Sequence, residues 1–236
     1  MTGEGLSGFV AALDDSWRGL SLTMPLKRDI IPVLSWRHPV VDRVGAANTV
    51  LITDEGIRGF NTDVRGAVEA FREAGVSELE TIHVLGAGAT AASLLVAAAE
   101  LGATSALVSA RTPERAAPLT QLGEREGIDV IVRPWGISDR SLRIPDAVIS
   151  TVPGGQNDLV FPEAVRKASV LFDVAYDPWP TSLAATWTEA GGRVISGHDL
   201  LVHQAVGQVR IFVSGDLDRA LADEPGVLAA MRDALR

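Results

Sequence analysis

A strand pattern, a glycine turn and a helix pattern follow one another in residues 81–101, which read TIHVLGAGATAASLLVAAAEL. Residues 81–85 are mostly apolar and predict a buried strand, whereas residues 90–101 are small or apolar and predict a helix. Between them a G-x-G-x-x-[GA] turn is formed by Gly86, Ala87, Gly88, Ala89, Thr90 and Ala91. A turn of this kind between a strand and a helix opens a βαβ unit.

Strand and helix patterns alternate on both sides of this unit. Before it, we expect strands at residues 19–23, 47–53 and 56–60 and helices at residues 6–13, 25–34 and 63–74. After it, we expect strands at residues 105–109, 128–132, 147–151, 170–174 and 192–196, and terminal helices near residues 198–213 and 226–235. Parallel strands joined by crossovers imply an α/β fold with a Rossmann-type doubly wound sheet and a smaller α/β domain. The predicted domains are residues 65–199, and residues 1–64 together with 200–236.

Composition excludes several classes of partner. The 236 residues include 30 acidic and 21 basic side chains, and the net charge of −9 opposes binding to nucleic acid and to anionic membranes. No apolar segment approaches the roughly 20 residues that span a bilayer, and the first eight residues lack a secretory signal pattern, so we expect a cytoplasmic protein. Cysteine is absent and the four histidines are not spaced as metal ligands, so we expect no metal site.

The glycine turn predicts a dinucleotide site. Gly86 permits a tight turn, Gly88 lets backbone amides approach a pyrophosphate, and Ala91 allows close packing of helix on strand. NAD sites usually carry an acidic residue about 20 residues onward, but Arg111, Thr112 and Arg115 occupy that region here. Since guanidinium groups bind phosphate well, these residues favour NADP. Two alternatives stay open, namely that the glycines serve packing only and that the arginines are ordinary solvated charges.

Three motifs precede the glycine turn, and they read LSLTMPLK (residues 20–27), GAANT (45–49) and GFNTD (59–63). Thr23 and Pro25 are typical of an N-cap and first helical residue, and Asp63 is typical of an N-cap. Lys27 falls in the first turn of a predicted helix, near the unfavourable positive end of the helix dipole. A lysine there can exchange a proton with an alcohol or ketone oxygen, although an ordinary solvated lysine remains the alternative.

These motifs, in this order and followed by Gly-Ala-Gly-Ala, resemble the shikimate dehydrogenase family. Two further stretches match it, DVAYDP (residues 173–178) and GHDLLVHQA (197–205), so the resemblance runs from about residue 6 to the terminal helices. The resemblance implies reversible NADPH-dependent reduction of 3-dehydroshikimate to shikimate, in aromatic amino-acid biosynthesis. It also implies a smaller substrate-binding domain that carries the catalytic residues.

The resemblance assigns a role to each matching residue. It implies that Lys27 is the acid/base residue and Asp63 its partner. The implied substrate contacts are Thr23, Asn48, Asp63, Tyr176 and Gln204. The implied cofactor contacts are Gly86, Ala87, Gly88, Ala89, Arg111, Thr112, Arg115, Val174 and Gly197. A small-molecule substrate and a monomer or homodimer are expected.

The sequence departs from the family pattern at three places, one of which is a conservative change of the second glycine pair of the loop to Ala89 and Thr90. Family members usually begin with a strand–helix–strand segment whose Ser-x-Ser motif binds the substrate carboxylate, and residues 1–18 contain no such motif. Ala110 stands where relatives often have asparagine, which removes one expected adenosine contact. A quinate/shikimate dehydrogenase, a non-catalytic nucleotide-binding paralogue and a truncated remnant therefore stay open as alternatives.

Overall fold

The computed structural model describes residues 3–136, 143–153 and 159–235. Up to residue 73 its elements are α1 (Gly3–Ala11), β1 (Gly19–Ser21), α2 (Leu26–Asp29), a 3₁₀ turn (Ile31–Val33), β2 (Trp36–Arg37), α3 (Pro39–Val44), β3 (Thr49–Thr53), β4 (Gly56–Phe60) and α4 (Asp63–Glu73). From residue 81 they are β5 (Thr81–Leu85), α5 (Ala89–Glu100), β6 (Ser105–Ala110), a 3₁₀ turn (Pro113–Ala116), α6 (Ala117–Glu126), β7 (Asp129–Pro134), β8 (Ala147–Ser150), α7 (Glu163–Ala168), β9 (Val170–Asp173), α8 (Ser182–Glu189), β10 (Val194–Ser196), α9 (Gly197–Ser214) and α10 (Glu224–Asp233).

The chain divides into two compact units. The first unit ends at Gly66 and resumes at Val202, and the second comprises Ala67–Leu201. The chain passes between the units within α4 and again within α9. The predicted assignment of residues 1–64 with 200–236, and of residues 65–199, to separate functional domains stays a prediction.

The second unit is built on a parallel sheet with strand order β7-β6-β5-β8-β9-β10. Every strand pairing described in this sheet is parallel. The first strand in sequence, β5, lies at the centre between β6 and β8, so the strand order reverses there. The predicted Rossmann-type sheet is confirmed. Sheets of this kind bind ligands at the carboxyl ends of the strands where the order reverses, which here are β5 and β8.

Helices cover both faces of this sheet. Leu171 on β9 belongs to an apolar cluster with Trp187 of α8, whose indole Nε1 donates to the Ser169 carbonyl at 3.1 Å. The next residue, Phe172, instead packs edge-on against Phe71 of α4, with ring centroids 5.0 Å apart. Because successive strand residues point to opposite faces, α8 and α4 lie on opposite sides. The sheet is therefore doubly wound.

The first unit has a smaller mixed sheet with strand order β1-β3-β4-β2. β3 pairs antiparallel with β1 and with β4, whereas the short β2 pairs parallel with β4. Its core joins Leu51 and Phe60 of the sheet to Ile211 of α9 and to Leu217. This mixed sheet and the helices packed on it form the smaller α/β unit that the sequence predicted.

The predicted helix over residues 25–34 was wrong beyond Asp29. Pro32 has no N–H and cannot make an α-helical hydrogen bond, so the chain continues as a 3₁₀ turn. The predicted cap was also wrong, because Pro25 occupies the N-cap position without a side-chain hydrogen bond. The Thr23 carbonyl instead accepts from the Leu26 N–H at 2.8 Å, which closes a turn before α2.

The described residues contain no helix that combines the length and the apolar character needed to cross a membrane.

We expect the stability of the second unit to fall between about pH 6.5 and pH 4 because of His83. This β5 histidine is hydrogen-bonded to Ser109 Oγ at 2.8 Å, and burial lowers its pKa to about 4 from the ordinary 6.5. In this pH range the unfolded chain binds a proton that the folded chain does not, so stability decreases as pH falls, by at most roughly 1.4 kcal/mol per pH unit. Urea unfolding midpoints measured across this range for wild type and His83→Gln test this, and equal slopes would contradict it.

Candidate active site

A polar cluster in the first unit brings together Lys27, Asn48, Thr62, Asp63 and Gln204. Lys27 Nζ lies 2.7 Å from Asp63 Oδ2, and the two side chains are 13% and 5% exposed. The second carboxylate oxygen, Asp63 Oδ1, accepts from Asn48 Nδ2 at 2.8 Å. The Asp63 carboxylate is thus held on both oxygens, one by the Lys27 ammonium and one by the Asn48 amide. These contacts fix the position of the Lys27 ammonium.

Backbone hydrogen bonds set the position of Lys27. The Ala47 N–H donates to the Lys27 carbonyl at 2.8 Å, which joins α2 to the segment before β3. Asn48 in turn donates through its backbone N–H to the Phe60 carbonyl at 3.0 Å, at the end of β4. Lys27 does fall in the first turn of α2, as the sequence predicted. The sheet therefore supports Lys27 and Asn48 through main-chain contacts.

Asp63 is the first residue of α4 and does not cap it, so the predicted N-cap role was wrong. The side chain of Asn61 takes that role, because Asn61 Oδ1 accepts from the N–H groups of Asp63 at 3.0 Å and Val64 at 3.4 Å. Asn61 Nδ2 also donates to the Ala46 carbonyl at 3.0 Å. The Asp63 carboxylate is thereby left to bind Lys27 and Asn48.

Two glycines let Gln204 approach this cluster. A Cβ at Gly66 on α4 would lie 2.8 Å from the backbone nitrogen of Gln204 and 3.1 Å from its Cα. A Cβ at Gly207 would come within 3.1 Å of Thr62 Cγ2. Because neither position carries a side chain, α4 and α9 pack closely, and Gln204 Oε1 comes within 3.4 Å of Asn48 Nδ2.

The sequence prediction missed Thr62, Ser21 and Gln208. Thr62 Oγ1 accepts from Asn48 Nδ2 at 2.9 Å, and its backbone N–H donates to Asn48 Oδ1 at 2.9 Å. Gln208 follows Gln204 by four residues on α9, a spacing that puts both on one helix face and could have indicated its presence. Thr23 is exposed and Tyr176 belongs to the second unit, so their predicted substrate contacts stay predictions.

The second unit gathers the predicted cofactor residues at one edge of its sheet. The glycine turn follows β5, Arg111 follows β6, Val174 follows β9 and Gly197 follows β10. Because these strands are parallel and adjacent in the sheet, their carboxyl ends lie at the same edge. The structure therefore brings to one edge of the sheet cofactor residues that span more than 100 positions of the sequence, from Gly86 to Gly197.

The glycine turn fits a dinucleotide pyrophosphate. Gly86 has φ of +105°, which glycine adopts freely, and a Cβ there would lie 2.6 Å from Thr151 Oγ1 at the end of β8. Gly88 begins α5 without any side-chain cap, and a Cβ built on it meets no described atom within 4 Å. The described residues leave space at this uncapped helix N-terminus, which suits an anion, since the first backbone amides and the helix dipole both face it.

The groups predicted to bind the 2′-phosphate belong to three residues near the 3₁₀ turn Pro113–Ala116. Arg111 and Thr112 precede this turn, and Arg115 lies within it. Arg111 is exposed, with its guanidinium carbon 5.8 Å from the Trp135 ring centroid. Thr112 is exposed, and its carbonyl accepts from the Arg115 N–H at 3.0 Å, which keeps Arg115 on the same turn. Two guanidinium groups and a hydroxyl thus follow the strand next to the glycine turn.

Val174 and Gly197 touch each other through the backbone. A Cβ at Gly197 would lie 2.2 Å from the Val174 carbonyl oxygen and 2.6 Å from that of Ala175, so only glycine fits. Tyr176 is 50% exposed, and its ring lies 5.9 Å from that of His198. In the part of the chain that the structure describes, no three His, Asp or Glu residues are placed to hold a metal ion.

The fold and these residues define a Rossmann-type dinucleotide-binding protein that carries a lysine–aspartate pair in its other unit. Comparison with known proteins found no matching family model. The shikimate dehydrogenase (NADP(+)) of Moorella thermoacetica is 31% identical over 217 residues, which cover 88% of this chain and 73% of that protein. The chain therefore belongs to the shikimate dehydrogenase family.

Solved structures agree with this assignment. Mycobacterium tuberculosis shikimate dehydrogenase is 33% identical with a TM-score of 0.78, and the match covers 98% of this chain and 85% of that one. Thermus thermophilus shikimate 5-dehydrogenase, in complex with NADP(H) and shikimate, is 26% identical with a TM-score of 0.78, covering 99% of this chain and 85% of that one. The predicted family and fold class are confirmed.

We expect Asn61→Ala to lower the free energy of unfolding by about 2 kcal/mol, because α4 loses its cap and the buried Ala46 carbonyl loses its donor. Asp223→Ala is the matched control. Asp223 caps α10 by accepting from the Gly226 N–H at 3.1 Å, but it is exposed. Chemical unfolding compares the two variants. A smaller loss for Asn61→Ala than for the control would contradict the role of Asn61.

Proposed function

We propose that this chain is an NADP-dependent oxidoreductase that interconverts 3-dehydroshikimate and shikimate, a step of aromatic amino-acid biosynthesis. The observation that carries the proposal is the 2.7 Å pair between Lys27 Nζ and Asp63 Oδ2 within the polar cluster. A Rossmann-type unit with an open glycine turn accompanies this pair in the same chain. The names of its relatives support the same reaction.

Lys27 acts as the acid in the reducing direction. NADPH, when bound, supplies the hydride that the carbonyl carbon receives. As negative charge grows on the carbonyl oxygen, the Lys27 ammonium donates a proton to it and becomes a neutral amine. In the oxidising direction the neutral amine accepts the proton of the alcohol. Asp63 keeps the nitrogen in place through its 2.7 Å contact.

The remaining polar groups hold the substrate. Thr23, Asn48 and Gln204, together with Tyr176 and Asp63, offer hydroxyl, amide and carboxylate groups to the ring hydroxyls. A triol needs several directed hydrogen bonds, and a site built from such groups rejects analogues that lack one of them. Quinate differs from shikimate at the ring, so comparing the two substrates measures how well this set discriminates.

The cofactor is held by backbone and side-chain groups of the second unit. The amides of Gly86, Ala87, Gly88 and Ala89 would bind the pyrophosphate, and Arg111, Thr112 and Arg115 would bind the 2′-phosphate. Val174 and Gly197 would contact the nicotinamide end of the cofactor. A cytoplasmic location and a monomeric or homodimeric state complete the proposal.

Replacing Lys27 with methionine should lower kcat for shikimate oxidation roughly 10²- to 10⁴-fold, because the variant keeps the side-chain length and loses the proton acceptor. Lys167→Met is the matched control, since Lys167 forms an exposed ion pair with Glu163. Turnover is followed as NADPH formation. Wild-type kcat in Lys27→Met, with a folded protein by circular dichroism, would refute the role of Lys27.

The double variant Arg111→Ala/Arg115→Ala should raise KM for NADP at least tenfold and leave KM for NAD within about twofold, because charge-assisted hydrogen bonds to phosphate contribute roughly 1.5–3 kcal/mol each. Arg72→Ala is the control, as Arg72 pairs with Glu69 on the α4 surface. Parallel assays with both cofactors measure the ratio. An equal loss with NADP and NAD would contradict recognition of the 2′-phosphate.

A further inference from the structure

The segment between β9 and α8 is closed by a hydrogen bond at its base. Asp173, the last residue of β9, accepts at Oδ2 from Thr181 Oγ1 at 2.6 Å. Thr181 is the N-cap of α8, so this bond joins the end of the strand to the start of the next helix. The two residues are buried, whereas residues 176–178 between them are exposed. Residues 174–180 therefore form a loop whose two ends are tied together, the β9–α8 loop.

The direction of each hydrogen bond in this contact is fixed. The Ala184 N–H can only donate, and it lies 3.0 Å from Thr181 Oγ1, so the hydroxyl accepts there. The single proton of the hydroxyl is left to donate, and an ionised Asp173 carboxylate can only accept it. The second carboxylate oxygen, Asp173 Oδ1, accepts from the Ala175 N–H at 3.3 Å. Asp173 thus connects the start of the β9–α8 loop to the first turn of α8.

The Asp173 carboxylate occupies an energetically costly position. Burial raises the pKa of this carboxyl above its ordinary value, and the hydrogen bonds from Thr181 and Ala175 act in the opposite direction. An ionised group is tolerated in a buried position only when such donors compensate for its lost hydration. The carboxylate is therefore stable in this position only while the β9–α8 loop is closed.

The first two residues of the β9–α8 loop also contact the segments that follow the neighbouring strands. The Val174 N–H donates to the carbonyl of Ser150, the last residue of β8, at 3.0 Å. The Ala175 carbonyl accepts from the N–H of Gly197, which follows β10, at 3.3 Å. Asp173 adds a side-chain contact that spans the whole loop. Val174 consequently has a defined position at the carboxyl edge of the sheet.

We propose that Asp173 is a positioning residue, which closes the β9–α8 loop by binding Thr181 and so places Val174 for contact with the nicotinamide end of the cofactor. The inference rests on the proposed function, in which Val174 would contact the nicotinamide. Asp173 acts through the loop and not by touching the cofactor. Since a misplacement of about 1 Å can lower a rate roughly 100-fold, opening the loop should affect hydride transfer most.

The first test is Asp173→Asn, which keeps the size of the side chain and replaces one accepting oxygen with a donor. We expect the rate constant for NADPH formation in a single turnover of shikimate to fall roughly 10- to 100-fold. KM for NADP should stay within about threefold, because the phosphate contacts of the cofactor are unchanged. Asp146→Asn is the matched control, since Asp146 accepts from the N–H groups of Glu80 and Thr81 at the opposite end of the sheet. An unchanged rate constant in Asp173→Asn, or an equal fall in both variants, would overturn the proposal.

Single-turnover measurements separate positioning from a general structural role. A loss of folded protein lowers the amount of NADPH formed per enzyme and leaves the rate constant unchanged. A misplaced nicotinamide lowers the rate constant and leaves that amount unchanged. A smaller amount formed at the wild-type rate constant in Asp173→Asn would therefore show a structural role only and contradict the proposal.

Thr181→Val tests the other partner of the hydrogen bond, because it keeps the shape of the side chain and removes the hydroxyl. The single-turnover rate constant should fall as in Asp173→Asn, and Thr181→Ser, which restores the hydroxyl, should bring it within about threefold of wild type. Thr188→Val is the control, since the exposed Thr188 bonds within α8 to the Ala184 carbonyl at 3.1 Å. A serine variant as slow as the valine variant would count against the proposal.

A double variant tests whether the two residues act through one contact. Because Asp173→Asn and Thr181→Val disrupt the same hydrogen bond, their combination should be at most about threefold slower than the slower single variant. Two residues with separate effects would instead give a rate constant lowered by the product of the single effects. That product would refute the shared role.

Hydrogen–deuterium exchange keeps this inference distinct from the proposed function. Exchange of residues 174–181 is measured in wild type and Asp173→Asn, with and without saturating NADP. Exchange should be roughly tenfold faster in the variant, and NADP should slow it more in wild type than in the variant. If wild type shows this pattern without turning over shikimate, the proposed function fails and the role of Asp173 is supported. If wild type turns over shikimate but lacks either difference, the positioning role fails alone. If wild type shows neither turnover nor this pattern, both fail.

Discussion

The Lys27–Asp63 ion pair joins α2 to the start of α4 in the first unit. Its two side chains are largely buried, and for such pairs the loss of hydration offsets much of the attraction. The pair therefore contributes little net stability, and its main effect is on placement. It can form only when α2, the segment before β3 and the start of α4 are all in position. The polar cluster is consequently a product of the whole unit and not of one motif.

Much of the fold could be predicted because its signals are local. β4 and β5 begin and end where the sequence predicted, since each has apolar periodicity bounded by turn residues. β2 could not be found, because two residues carry no period, and its pairing with β4 depends on tertiary structure. α3 was also missed. It is a short helix whose cap, His38 Nδ1, accepts from the Val40 N–H at 3.3 Å, and histidine is not among the usual capping residues.

The residues of the polar cluster could be predicted from the sequence, but the hydrogen bonds between them could not. The resemblance pointed to Lys27, Asn48, Asp63 and Gln204, and the structure brings these four together. The cap of α4 was predicted at Asp63, two residues after the true cap Asn61, because a carboxylate directly before a helix pattern is more often a cap than a partner of a distant lysine. The contact of Ser21 with Gln208 joins residues 187 positions apart, and no periodicity in either segment encodes it.

Gly66 and Gly207 restrict how this protein can be engineered. Glycine inside a helix costs about 0.5–1 kcal/mol relative to alanine, so both positions are obvious targets for raising thermal resistance. A methyl group at Gly66 would press on the main chain of α9 at Gln204, and one at Gly207 would press on the side chain of Thr62. Alanine at Gly66 would displace Gln204, which is proposed to hold the ring hydroxyls, and alanine at Gly207 would displace Thr62, which hydrogen-bonds Asn48. Thermal stability at these two positions would therefore be gained at the expense of substrate affinity.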